Sequence, residues 1–209
     1  MASITLSGIT KKFGKHIVFR NITTTIYDGE GVAIIGSNGS GKSTLLKVIA
    51  GYVEPSAGKV EYAIANLQVN TNNCYQHLSY AAPYMDLIEE FTLSEQVNFY
   101  FKFKEMNSNL KSIEEFVSKC GLEQAKEKQI KYFSSGMKQR LKLSLAIMSN
   151  SSYLFLDEPL TNLDAQGTVW YQSLMTEYTG NRIVIIGSNS MKDEIFLCRK
   201  NIDIEEWKN

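Results

Sequence analysis

Two stretches of this chain hold residues whose types and spacing could do chemistry. The first, Gly36-Ser37-Asn38-Gly39-Ser40-Gly41-Lys42-Ser43, matches the pattern G-x-x-x-x-G-K-[ST] in full. Glycines let backbone N–H groups approach an anion with no Cβ in the way. A helix opening at Ser43 and Thr44 adds free N–H groups and partial positive charge. In such a loop Lys42 reaches the β- and γ-phosphates of a nucleotide, and the Ser43 hydroxyl ligates Mg²⁺. The second stretch is the pair Asp157-Glu158, which ends the apolar run Tyr153-Leu154-Phe155-Leu156. Acids at the C-terminal end of a buried strand point into the crevice where such sheets bind ligands. There Asp157 can hold Mg²⁺ through water. Glu158 can polarise an attacking water, general-base work worth about 10²–10⁴ in rate. Each stretch alone has a plainer explanation, a glycine-rich turn or two solvated acids. Together they specify a nucleoside triphosphate, and GTPases, kinases and helicases share the loop.

The elements that must position these groups are legible in part. Val32-Ala33-Ile34-Ile35 reads as a strand buried on both faces, leading into the glycine loop. Ser43 to Ala50 has helical spacing, with Gly51 as a C-terminal cap. Ahead of it, Ile4, Leu6, Ile17, Phe19, Ile22 and Ile26 recur among polar residues as in half-buried strands, and Asp28-Gly29 reads as a turn. The middle of the chain changes character. Thr92-Leu93-Ser94-Glu95 fits a capping box, and a second helical stretch runs from about Leu110 to Cys120, stopping at Gly121. We expect a helical lobe here, inserted in the core over about 84–138. The aromatic run Phe99 to Phe103 is expected to pack mainly inside that lobe, with part of it available as a docking groove. The core then resumes with a helix over Gln139 to Ser149, the strand before Asp157, a helix near Thr168 to Tyr178 and a strand over Ile183 to Ile186. Buried strands alternating with helices predict an α/β fold, one domain with a mainly parallel sheet.

Composition narrows the partners. Lys+Arg and Asp+Glu both total 22, so nothing global argues for nucleic acid, which calls for a basic excess or patch. Cys74, Cys120 and Cys198 show no C-x-x-C spacing, which points to a reducing compartment and no structural metal. The first residues carry no signal-peptide pattern, and no run of about 18 apolar residues exists, so work at a membrane would go through a partner.

Between the two chemical stretches lies Phe133-Ser134-Ser135-Gly136-Met137-Lys138-Gln139-Arg140. It resembles the signature L-S-G-G-Q-x-Q-R of the ATP-binding cassette superfamily. Pro159-Leu160-Thr161-Asn162-Leu163-Asp164 is similar to the family's D-loop, Phe13 matches the aromatic that stacks on adenine, and Glu54-Pro55-Ser56-Ala57-Gly58 fits the turn after the first core helix. The resemblance covers nearly the whole chain, in order. It implies a P-loop NTPase core with an N-terminal antiparallel β subdomain and an inserted helical lobe, with ATP and Mg²⁺ as cofactors. It further implies a head-to-tail pair of cassettes, expected to be two copies of this chain. Each ATP would lie between one copy's phosphate loop (Gly36 to Thr44, with Phe13) and the other's Ser134, Ser135, Gly136 and Asp164. The helical lobe would dock a transmembrane permease subunit on the cytoplasmic face of the membrane. Small bacterial export-type cassettes are the subgroup it looks most like.

Three departures from the family pattern keep alternatives open. The family glutamine, nine positions before the threonine that opens the lobe's first helix, falls on Pro83. The switch histidine after the Ile183–Ile186 strand is Asn189, which can hydrogen-bond a γ-phosphate but cannot carry a proton as imidazole does. The signature has Ser135 and Met137 where glycine and glutamine are usual. The expected catalytic set is therefore Glu158, Lys42 and Asn189, with Ser43 and Asp157 on the metal. A transport ATPase is the leading expectation. A soluble cassette of the iron–sulfur assembly type, or a slow or non-hydrolysing ATP-binding switch, are the alternatives.

Overall fold

The alternating N-terminal stretch folds into two long antiparallel strands in the computed structural model, which describes residues 1–208, those at 71 and 72 by backbone alone. β1 (Ser3–Phe13) and β2 (His16–Tyr27) pair from Ser3 with Tyr27 to Phe13 with His16, and Ile4, Leu6, Ile9, Phe19, Ile22 and Ile26 all turn inward. The chain then enters β3 (Gly31–Ile35), the glycine loop and α1 (Lys42–Ile49). Gly51, with φ +77°, closes α1 as its composition predicts.

Three strands between α1 and the lobe were not legible. β4 (Ala57–Ile64) and β5 (Leu67–Val69) form a hairpin that joins β1, giving a four-stranded antiparallel sheet in the order β2-β1-β4-β5. Its turn is Ala65-Asn66, both at positive φ, without the glycine that usually advertises such a turn. β6 (Leu78–Ala81) is only four residues long.

The lobe begins as its capping box predicts. Thr92 caps α2 (Leu93–Tyr100), accepting from Glu95 N–H while the Glu95 carboxylate accepts from Thr92 N–H. α3 (Ile113–Cys120) starts at the Ser112 cap, a little later than the expected Leu110, and ends at Gly121 with φ +67°. The aromatic run differs from expectation. Tyr100 and Phe101 pack against the core, but Phe99 is 40 % and Phe103 73 % exposed. The reason is that α2 ends at Tyr100, so the run straddles a helix end and only part of it faces inward. Phe91, Phe99 and Phe103 instead meet edge to face on the outside.

α4 (Ser135–Ile147) starts four residues earlier than helical spacing alone suggested, because Ser134 caps it. β7 (Tyr153–Asp157), α5 (Ala165–Tyr178), β8 (Ile183–Ser188) and β9 (Lys200–Asp203) complete the chain, and a 3₁₀ turn spans Ile204–Trp207. The second sheet is parallel throughout, in the order β6-β7-β8-β3-β9. Its strands sort their side chains with period two. Tyr153, Phe155, Ile183 and Ile185 face α1 and the antiparallel sheet, whereas Leu154, Leu156, Val184 and Ile186 face α4, α5 and the lobe. Truncating a fully buried side chain such as Phe155 to alanine costs about 3–5 kcal/mol. Among the described residues, no helix is long and apolar enough to cross a membrane.

Candidate nucleotide-binding site

The phosphate loop lies between the end of β3 and the start of α1, and its glycines are there for space as well as for φ. A Cβ on Gly36 (φ +148°) would sit 2.6 Å from Ser40 Oγ, and one on Gly41 (φ +117°) 2.4 Å from a Val18 methyl. Gly39, at φ +76°, faces open space. The loop is thus tightly wound, with Ser37, Asn38 and Gly39 exposed at its rim. Lys42 is buried, and its Nζ donates to the Gly36 and Ser37 carbonyls at 3.1 and 3.0 Å. The loop's own backbone thereby holds the ammonium where an anion's oxygens would arrive. Ser43 and Thr44 follow in the first turn of α1.

Asp157 is the last residue of β7 and is 1 % exposed. Neither carboxylate oxygen has a partner in hydrogen-bond geometry, and the buried Ser40 hydroxyl has none either. Unpaired buried oxygens are rare and call for an explanation. Burial pushes the Asp157 carboxyl above its ordinary range, while the nearby Ser43 and Tyr84 hydroxyls and the more distant Lys47 pull it back. A carboxylate and a hydroxyl with unused oxygens suit a hard cation that brings further oxygens with it, as Mg²⁺ does on a triphosphate. Among the described residues no group of three or more His, Cys, Asp or Glu could hold a metal alone.

Glu158 follows in a left-handed conformation, φ +44°, which costs a non-glycine residue about 1 kcal/mol or more. Its N–H donates to the Gly187 carbonyl on β8 at 2.8 Å, which holds that turn. Gly187 has to be glycine, because a Cβ there would lie 2.8 Å from Asp157 Oδ1. Just beyond β8, Asn189 Nδ2 donates to Glu158 Oε1 at 3.4 Å. Residues 158 and 189, far apart in sequence, therefore meet.

The remaining expected residues fall in two places. Phe13 ends β1 with its ring 56 % exposed and Lys11 Nζ 4.9 Å from the ring centre. Ser134, Ser135 and Gly136 line a separate shallow hollow with Met137, Arg140 and Asn162 to Asp164, and no phosphate-loop residue lines it. Ser134 Oγ accepts from Met137 N–H at 3.2 Å, and Asp164 caps α5 by accepting from Gly167 N–H at 2.7 Å. A Cβ on Gly136 would come 3.0 Å from the Asn162 carbonyl, so the signature and the D-loop are in close contact.

Four residues were missed by sequence reasoning. Glu194 is buried, and its carboxylate accepts from Leu160 N–H at 3.1 Å and from the Ser188 hydroxyl, tying the loop after β7 to the end of β8. Burial raises its pKa, and those two donors lower it. Glu205, in the last turn of the chain, accepts from Ser37 Oγ at 2.6 Å, so a carboxylate rests on the rim of the phosphate loop. Its pKa is held down at about 2 by Lys208, then by Ser37. Tyr80 and Tyr84 are the other two, their hydroxyls 2.5 Å apart beside Asp157. An acid 168 residues from its partner leaves no local signal. The tyrosine pair left only a weak one, two aromatics four apart at the end of a short apolar run.

Fold and loop together define a P-loop nucleotide-binding domain with a second, signature-bearing surface. The sequence pattern of the ABC transporter family matches residues 19–161, and the chain belongs to that family of transporter ATP-binding subunits. It is similar to Nod factor export ATP-binding protein I of Rhizobium johnstonii, 29 % identical over 94 % of this chain and 64 % of that protein. It is also similar to zinc import ATP-binding protein ZnuC 2 of Aliivibrio fischeri, 32 % identical over 96 % of this chain and 76 % of that protein. The chain thus spans a little under two thirds of the length of the Rhizobium relative. Among solved structures, an ABC transporter ATP-binding protein of Pyrococcus furiosus superposes with a TM-score of 0.81 at 21 % identity, covering 99 % of this chain and all of that one. A dimeric bacterial ABC transporter cassette gives 0.77 at 24 % identity, covering 96 % of this chain and 93 % of that one.

Proposed function

We propose that this chain binds and hydrolyses Mg²⁺-ATP as the nucleotide-binding subunit of a transporter, paired with a second cassette and seated under a separate transmembrane permease at the cytoplasmic face of a membrane. The observation that carries the reading is the Asp157 carboxylate, buried with both oxygens unpartnered and next to Ser43, with Glu158 beside it. Family membership supplies the rest of the argument.

In this reading the triphosphate takes the N–H groups of residues 39–43, and the adenine stacks on the exposed face of Phe13. Lys42 moves its ammonium from the Gly36 and Ser37 carbonyls onto phosphate oxygens. Mg²⁺, when bound, would supply neutralising charge to the triphosphate, and Ser43 and Asp157 would hold it on the chain. Glu158 orients the attacking water and takes its proton, and Asn189 fixes the Glu158 carboxylate by its amide. Ser134, Ser135 and Gly136 of a second copy bring the start of their α4 to the γ-phosphate, with Asp164 nearby, so ATP joins the two copies and hydrolysis separates them. Exposed Phe99 and Phe103, with half-buried Phe91 against Phe99, offer the apolar surface on the lobe that a permease helix would cover.

The test is Mg²⁺-ATP turnover by the purified chain at high concentration, beside Glu158→Gln. Loss of about 10²–10⁴ in rate with ATP binding intact is expected. Background turnover in both, with ATP bound, would overturn hydrolysis and leave an ATP-binding switch. Recovery of the chain with a multi-span membrane protein tests the transporter half of the reading, and recovery with soluble iron–sulfur assembly proteins alone would sink it.

A further inference from the structure

The two turns that carry Glu158 and Asn189 share one buried side chain. Each turn holds a residue other than glycine in the left-handed region, Glu158 at φ +44° and Ser190 at φ +68°. Such residues persist only where their surroundings over-determine them. At the first turn the backbone supplies part of that hold. Glu158 N–H donates to the Gly187 carbonyl at 2.8 Å, and Thr161 N–H donates to the Glu158 carbonyl at 3.1 Å. The buried Gln139 of α4 adds its side-chain amide, which donates to the Pro159 carbonyl at 2.9 Å. The next N–H along, that of Leu160, donates to Glu194 Oε1 at 3.1 Å.

The other oxygen of Glu194 serves the second turn. Oε2 accepts from Ser188 Oγ, and that hydroxyl accepts from Met191 N–H at 3.2 Å, which closes the turn around Asn189 and Ser190. A hydroxyl has one proton and two lone pairs, so Ser188 can satisfy both neighbours only in this direction. Glu194 is itself fixed in place. It is 2 % exposed, its N–H donates to the Met191 carbonyl at 3.0 Å, and its carbonyl accepts from the buried Tyr171 hydroxyl of α5 at 3.0 Å.

We propose that Glu194 is a positioning residue for hydrolysis: its two oxygens tie the Glu158 turn to the Asn189 turn, so that the Asn189 amide stays on the Glu158 carboxylate. That amide contact, at 3.4 Å, lies at the long end of the hydrogen-bond range, and a small relative shift of the two turns breaks it. The inference rests on the hydrolysis reading above, in which Glu158 takes the proton of the attacking water.

The test uses the full chain with Glu194→Ala, Glu194→Gln, Ser188→Ala and Asn189→Ala, read by steady-state Mg²⁺-ATP turnover, equilibrium ATP binding and melting curves. In Glu194→Ala kcat should fall about tenfold, from two lost hydrogen bonds, with ATP affinity and KM unchanged. Glu194→Gln, whose amide can accept from Leu160 N–H and donate to Ser188 Oγ, should stay within about twofold of the parent chain. Ser188→Ala frees only the arm to Asn189. It should cost kcat no more than Asn189→Ala does, and should add almost nothing to it in the double variant. A purely structural role would not produce that non-additivity, and the measurement stands even if Glu194→Ala fails to fold. Full kcat in a folded Glu194→Ala would overturn the proposal. So would Ser188→Ala and Asn189→Ala losses that simply multiply, or a kcat loss matched by an equal loss of ATP affinity. Background turnover in the parent chain, with ATP bound, would instead remove the hydrolysis reading and this inference with it.

Discussion

The two walls of the nucleotide crevice are built in opposite ways. The phosphate loop is one contiguous run, residues 36–43, in which backbone does the work and side chains are excluded wherever they would collide. The facing wall is assembled from residues 80, 84, 157, 158 and 189, drawn from β6, β7, β8 and the loops beyond them. The first wall follows the family pattern to the letter. The second departs from it at Pro83 and Asn189. The contrast teaches where substitution is tolerated: a wall made of backbone geometry fails with one added methyl group, whereas a wall of side chains can be rebuilt from different neighbours.

The largest expected effect breaks the first wall. Gly41→Ala puts a Cβ 2.4 Å from Val18 at φ +117°, a strain of about 1–3 kcal/mol. The loop should open and ATP affinity should collapse, while the thermal midpoint falls by about 2–4 °C for each kcal/mol lost. Equilibrium binding and a melting curve read both, and unchanged affinity would mean the loop is looser than its geometry. A smaller effect probes the second wall. Asn189→Ala removes the amide on Glu158 and should lower turnover by roughly fivefold, the value of about 1 kcal/mol for one hydrogen bond, without changing ATP affinity.

The stability of the nucleotide-free chain sharpens the comparison further. Asp157 has its pKa raised by burial, so it favours its proton in the folded state. Its contribution to stability is present below the ordinary carboxylate range and is lost as pH rises through its raised value. Asp157→Asn should therefore raise the melting temperature of the nucleotide-free chain at neutral pH and flatten its decline with pH, while abolishing Mg²⁺-dependent binding. Melting curves across the acid-to-neutral range, with and without Mg²⁺-ATP, would show it, and a destabilised Asn variant would contradict it. The smallest effect concerns the rim. Glu205→Gln removes an exposed negative charge from Ser37, and ATP should bind about twofold more tightly, with the difference fading at high salt.

Legibility followed the same division. The loop, the Thr92 capping box and the Asp157-Glu158 strand end were readable because each is a local pattern with a local cause: glycine φ freedom, a side chain capping N–H groups, a buried strand running out of apolar residues. The aromatic run at 99–103 was misjudged in part, because its exposure depends on where α2 stops. β6 was unreadable from its four residues, since a short apolar segment becomes a strand only by pairing with β7.

The sequence by itself determined the family, the nucleotide loop and the identity of the acids, because those depend on residue type and short-range spacing. Only the tertiary structure decided that Asn189 reaches Glu158, that Glu205 rests on Ser37, and that the Tyr80–Tyr84 pair stands beside Asp157. Those contacts are set by the register of parallel strands and the path of the chain between them, and parallel pairing joins segments that share no local signal.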